Sequence, residues 1–210
     1  MDEIKRATKE LSPKEKVRVE KFNEIVDELK KKGYKRRDLT ISLKTANTQG
    51  MLFPLPFAVL YLILNFLVLR NPWKGYNGII FILLVVGLIV VHEIIHGITW
   101  AIFAKHHFKD IEFGFVAKEI TPYCYCRSSL KKYQYITGSI MPFLTLGIII
   151  STVALFIPNN ATLLLVGIIM MFGAGGDLSI IYLLLKNKSK SKDVLYMDHP
   201  VDCGVVMFEK

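Results

Sequence analysis

The chain has 210 residues, 52% of them hydrophobic and 21% charged, with a formal net charge of +9. Its apolar residues gather into long runs, which excludes an ordinary soluble domain and indicates a membrane protein. The Lys and Arg residues cluster beside those runs and in the first 50 residues. They therefore read as cytoplasmic membrane flanks, and nucleic acid is not an expected partner.

Met1 to Glu10 is charged and lacks the apolar core of a signal peptide, so no export cleavage is expected and the chain should start in the cytoplasm. Cys124, Cys126 and Cys203 do not make a disulfide framework and suit a reducing compartment. Ser12-Pro13-Lys14-Glu15 has the form of a capping box with proline at the first helical position. Val19, Phe22, Ile25, Val26 and Leu29 follow at helical spacing, and Gly33 ends the helix. Alternation of Leu39, Ile41 and Leu43 predicts a short strand over 38–43. Residues 1–47 are thus read as a cytoplasmic region carrying no chemistry.

Four runs approach the roughly 20 apolar residues that a crossing needs: about 52–69, 79–104, 136–157 and 161–185. The first connection carries only Arg70 and Lys74, and Pro158-Asn159-Asn160 joins the last two spans without charge. Lys105, Lys109, Lys118, Arg127, Lys131 and Lys132 crowd the loop after the second span, and Lys186, Lys188, Lys190 and Lys192 open the tail. The positive-inside rule then predicts an all-α polytopic membrane protein with both termini and the 105–135 loop cytoplasmic. A four-helix domain over 48–192 would lie between the N-terminal helix and strand and a cytoplasmic tail, 193–210. The expected location is a bacterial cell membrane, crossed several times.

Inside the second span the chain reads Val91-His92-Glu93-Ile94-Ile95-His96-Gly97. Histidines at i and i+4 share one helical face and can reach a common tetrahedral ion, while the adjacent glutamate can reach a water there without being a ligand. Each charged group at mid-membrane costs on the order of 2.5–3.5 kcal/mol, so three ionisable residues within five positions need a compensating partner. A catalytic zinc takes three protein ligands. His106 stands ten residues after His96, whereas the extended metzincin pattern needs a histidine six residues on, where Ile102 stands.

Asp177 is the better third ligand, the only acid in the fourth span. Gly173-Ala174-Gly175-Gly176 before it permits close helix approach. His96 lies nine residues before Lys105 and Asp177 nine before Lys186, which sets both about 13 Å from the cytoplasmic ends of their helices. The expected chemistry is peptide hydrolysis by water activated on one catalytic Zn2+, with Glu93 as general base.

Loose alternation over 110–116 and 121–127 predicts a surface β-hairpin turning at 117–120, whose edge could hold an extended peptide or simply cover the helix ends. Cys124-x-Cys126 is a weak metal motif. Pro142 deprives the carbonyl of Gly138 of its helical donor and should kink the third span.

With these residues in view, the chain resembles the zincin peptidases of the DUF3267 family, relatives of the site-2 intramembrane metalloproteases, from about residue 39 to 208. The resemblance is carried by His92-Glu93-x-x-His96, Met141-Pro142, Gly176-Asp177-Leu178, and Asp198-His199-Pro200 with Gly204. It implies a zinc site near the cytosolic face with Asp177 as third ligand, and a membrane protein or peptide as substrate. Leu178 stands where site-2 proteases carry glycine, their asparagine has no counterpart, and no PDZ domain is evident, so substrate choice would rest on the membrane part or the N-terminal region. Two other readings are a catalytically silent scaffold and a metal or proton transporter. Glu93 argues against the first, and the lack of an inverted repeat against the second.

Overall fold

The computed structural model describes residues 13–68, 73–116 and 121–210. Ser12 of the capping box, the charged start of the chain, Arg70 and the hairpin turn at 117–120 lie outside the described residues.

Helix α1, Pro13–Lys31, buries Phe22, Val26 and Leu29 against Met197, Val206 and Phe208. It stops before Gly33, whose φ of +88° is the left-handed cap that glycine adopts without a Cβ penalty. Strand β1 follows at Lys35–Thr40, three residues earlier than the alternation predicts. The shift has a local cause. Ser42 Oγ accepts from the Thr45 amide at 3.1 Å and caps α2, Leu43–Leu52, so Leu43 is helical rather than extended. Leu39 remains the inward-facing residue of the strand.

The molecule is mainly helical, but the expected all-α class needs correction at the tail. β1 pairs antiparallel with β5, Gly204–Glu209, and β5 pairs antiparallel with β4, Val194–Asp198, in the order β1-β5-β4. The two ends of the chain therefore share one sheet. Gly204 makes the approach possible, since at φ +150° a Cβ there would fall 2.2 Å from the Leu39 carbonyl oxygen.

Three helical stretches are long and apolar enough to cross a membrane. The first, Lys44–Leu67, joins α2 to α3, Leu55–Val68, across Pro54. The others are α4, Gly78–Phe103, and α5, Lys132–Phe156. The run at 161–185 is two helices, α6, Ala161–Gly173, and α7, Gly175–Lys186, bent by 41°, which make a fourth crossing if taken as one span. Four consecutive small residues break this run where α7 closes on α2: a Cβ on Gly175 would lie 2.0 Å from the Gly50 carbonyl oxygen. In α5, the seven residues after Pro142 wind more widely, with π-type turns from Phe143 to Ile149.

Strands β2, Ile111–Val116, and β3, Thr121–Cys126, form the expected antiparallel hairpin. It lies on α4, where Phe113 and Ile111 fill the space beside Gly97. Trp100, Leu130, Tyr135, Leu184, Tyr196 and Met207 join the ends of α4, α5 and α7 to the sheet in one buried cluster.

Candidate metal centre

Helix α4 presents His92 and His96 one turn apart, both buried, as the i, i+4 spacing requires. Asp177, in the first turn of α7, meets them from across the bundle. Its Oδ2 lies 3.2 Å from His92 Nε2, its Oδ1 lies 3.2 Å from His96 Nε2, and the two Nε2 atoms are 3.1 Å apart. Among the described residues this trio is the one group of three metal-ligating side chains brought together.

These distances fit a small cation. A tetrahedral ion with ligands at about 2.0–2.1 Å sets its donor atoms about 3.3 Å apart; here the two Nε2 atoms are 3.1 Å apart and each lies 3.2 Å from a different oxygen of Asp177, and one donor atom from each residue can be chosen with all three within 4.8 Å of one another. The tautomer fits as well. His96 Nδ1–H donates to the Gly138 carbonyl at 2.8 Å, so the neutral ring directs an Nε2 lone pair at the other two donors. Two imidazole nitrogens and a carboxylate turned toward one point match the donor set of a catalytic zinc site.

The support beneath His96 follows from two residues in α5. Pro142 has no N–H to give the carbonyl four residues earlier, and that carbonyl, Gly138, is the one that accepts from His96. Gly138 has no side chain because the Trp100 indole occupies its place. A Cβ there would stand 2.0 Å from Trp100 Nε1. The indole stacks on His96 with ring centroids 5.0 Å apart and donates its N–H to the Tyr135 carbonyl at 3.2 Å. Trp100 is four residues after His96, so the helical spacing was a signal for it. The proline signalled a free carbonyl, but only the packing of α5 on α4 shows which donor takes it.

Glu93 sits beside the trio on the same helix, half-buried and near the backbone of Cys124 in β3. The hairpin therefore covers the general-base candidate. Cys124 and Cys126 are free thiols in this strand. Burial raises Cys124 well above the ordinary thiol range and pushes Cys126 up to about 12, so both are held as neutral thiols rather than the thiolates that bind metal. His106 stands apart, pairing with Asp110 at 3.2 Å on the exposed end of α4.

Two further anchors lie around the hairpin. Asp198, at the end of β4, accepts from the Cys126 amide at 2.9 Å and from the Tyr135 hydroxyl, and burial holds its carboxyl above the ordinary range despite these donors. It fastens the tail to β3 and α5. Arg18 of α1 lies over the rings of Tyr123 and Tyr125, each centroid 4.7 Å away, and donates to Glu112 at 2.8 Å. Glu112 also accepts from Arg127 at 2.7 Å.

The family model of DUF3267, described as "Putative zincin peptidase", matches residues 85–192, which include both histidines, the glutamate and the aspartate. No curated protein and no solved structure matches the chain.

Proposed function

The chain belongs to the DUF3267 family, and we propose that it is a zinc metalloendopeptidase of site-2-protease type, acting on membrane proteins or peptides within or beside the bilayer. The observation that carries this reading is the triangle of His92, His96 and Asp177 donors with a carboxylate beside it, set in helices apolar enough to span a membrane. Three ionisable groups in such a setting impose a cost that a bound cation offsets.

His92, His96 and Asp177 are the proposed ligands. Zinc held by them supplies Lewis-acid polarisation of a peptide carbonyl and acidification of water. The chain's own groups do the rest. Glu93 accepts a proton from the attacking water and returns it to the leaving amine. The Gly138 carbonyl holds the tautomer of His96. The hairpin over Gly97 limits bulk water at the reacting carbonyl.

In the topology that goes with this reading, α6 and α7 form one broken fourth span, and the lysine-rich 105–135 loop and tail face the cytoplasm. The centre then lies toward the cytosolic side, beneath the hairpin that covers it.

The test has two arms. Purified full chain should bind zinc, and His96→Ala and Asp177→Ala should lose it. In cells, Glu93→Gln should keep the zinc and lose the cleavage that the wild type performs, read as membrane-protein fragments that form only in wild-type cells. Zinc retained by His96→Ala overturns the site. Cleavage that persists in Glu93→Gln overturns the base, and wild-type cells in which no fragment forms favour a scaffold.

A further inference from the structure

Where the sheet meets the end of α7, β1 and the segment after that helix enclose an open groove of about 430 Å³. Five basic side chains line it, Lys35, Arg37, Lys188, Lys190 and Lys210, against one acidic side chain, Glu209. Lys35 and Arg37 are two residues apart on one strand and so project from the same face. Lys188 and Lys190 approach from the other wall, which Arg37 Nη2 ties down by donating to Asn187 Oδ1 at 3.3 Å. Glu209 accepts from the Ser189 hydroxyl at 2.6 Å. Among the described residues no carboxylate lies within ion-pair distance of Lys35, Lys188 or Lys190. Such a concentration of unneutralised like charge around one concavity is unfavourable until an anion enters it.

The position of the groove points to the anion's source. Helix α7 ends at Lys186 as the second half of an apolar bent pair, and Lys188 and Lys190 follow by two and four residues. At that distance from a membrane helix, side chains lie in the headgroup layer, where basic clusters are drawn to anionic lipid. We propose that this groove is a binding site for the phosphate of an anionic membrane phospholipid, anchoring the shared sheet of the chain's two ends against the bilayer.

The test uses the full chain, immobilised in neutral detergent and offered phosphatidylglycerol or phosphatidylcholine with the same fluorescent tail. Phosphatidylglycerol should be retained at least tenfold more than phosphatidylcholine. The variant Lys35→Gln/Lys188→Gln/Lys190→Gln should lose that preference, while Lys21→Gln/Lys105→Gln/Lys109→Gln, which removes as much charge elsewhere, should stay within twofold of wild type. Inorganic phosphate equimolar with the lipid should not displace it. Equal retention of the two lipids, an equal fall in both triple variants, or full displacement by inorganic phosphate each overturns the proposal. All six lysines are exposed, so the melting temperature of each variant should match the wild type and exclude misfolding as the cause.

Discussion

Replacing Gly138 by alanine puts a methyl group where the Trp100 indole already lies. The new Cβ would stand 2.0 Å from Nε1 and 2.1 Å from Cδ1, whereas carbon contacts relax at about 3.5 Å or beyond. The indole or α5 must therefore yield by roughly 1.5 Å. Trp100 is buried and bonded to the Tyr135 carbonyl, so it has no vacant space to enter. Overpacking of this kind costs about 1–3 kcal/mol in stability. The displaced indole stacks on His96, and the residue that moves also supplies the carbonyl orienting that ring. Loss of such an outer partner lowers metal affinity about 10–100-fold. Gly138→Ala should thus melt several degrees lower and bind zinc at least tenfold more weakly, measured by competition with a chelator of known affinity. Pro142→Ala provides the contrast. It restores an N–H that competes for the same carbonyl without crowding the indole, so zinc affinity should fall while the melting temperature holds or rises. Zinc affinities within twofold of wild type in both variants would refute the role assigned to Gly138.

At the break between α6 and α7, Gly175→Ala should lower the melting temperature and zinc affinity together, because its Cβ would meet the Gly50 backbone two residues before Asp177. Gly176→Ala, whose Cβ would meet nothing within 4 Å, should leave both near wild type, and equal effects in the two would remove close packing as the explanation. Asp198→Ala leaves the Cys126 amide and Tyr135 hydroxyl without their buried acceptor, at about 1–3 kcal/mol for each donor. Its melting point should drop further than that of Asp198→Asn. Glu112 is partly buried, but hydrogen bonds from Arg18 and Arg127 outweigh burial and hold its carboxyl below the ordinary range. The stability it gives is therefore present above the usual glutamate pKa of about 4.3 and lost as the pH falls through its lowered value. Hydrogen exchange, corrected for intrinsic rate, should show α1 losing protection on acidification. Glu112→Gln should flatten that dependence, and an unchanged slope would sink the attribution.

The meeting of His92, His96 and Asp177 was legible because an apolar chain makes every ionisable residue conspicuous. His92, Glu93, His96 and Asp177 had to be accounted for, and equal counts to the flanking lysines already placed histidine and aspartate at one level. Three of the four expected spans were legible from their apolar length, while the run at 161–185 is two helices bent by 41°. The tail was not legible. Val194–Asp198 and Gly204–Glu209 are too short for alternation to stand out, and what makes them strands is pairing with each other and, for Gly204–Glu209, with β1, whose residues lie more than 160 positions earlier in the chain. The early end of β1 has a different, local cause, since Ser42 caps a helix at the point where alternation alone would extend the strand. Pro142 lies between these cases. The missing N–H could be read directly, and with it a free carbonyl at Gly138, but a free acceptor in a membrane helix only says that some donor is needed. The donor is settled by Trp100, whose indole fills the space a side chain at 138 would take and so lets α5 close on α4 at His96. A residue read as a kink is, in the folded chain, what leaves a metal-ligand candidate with its orienting partner.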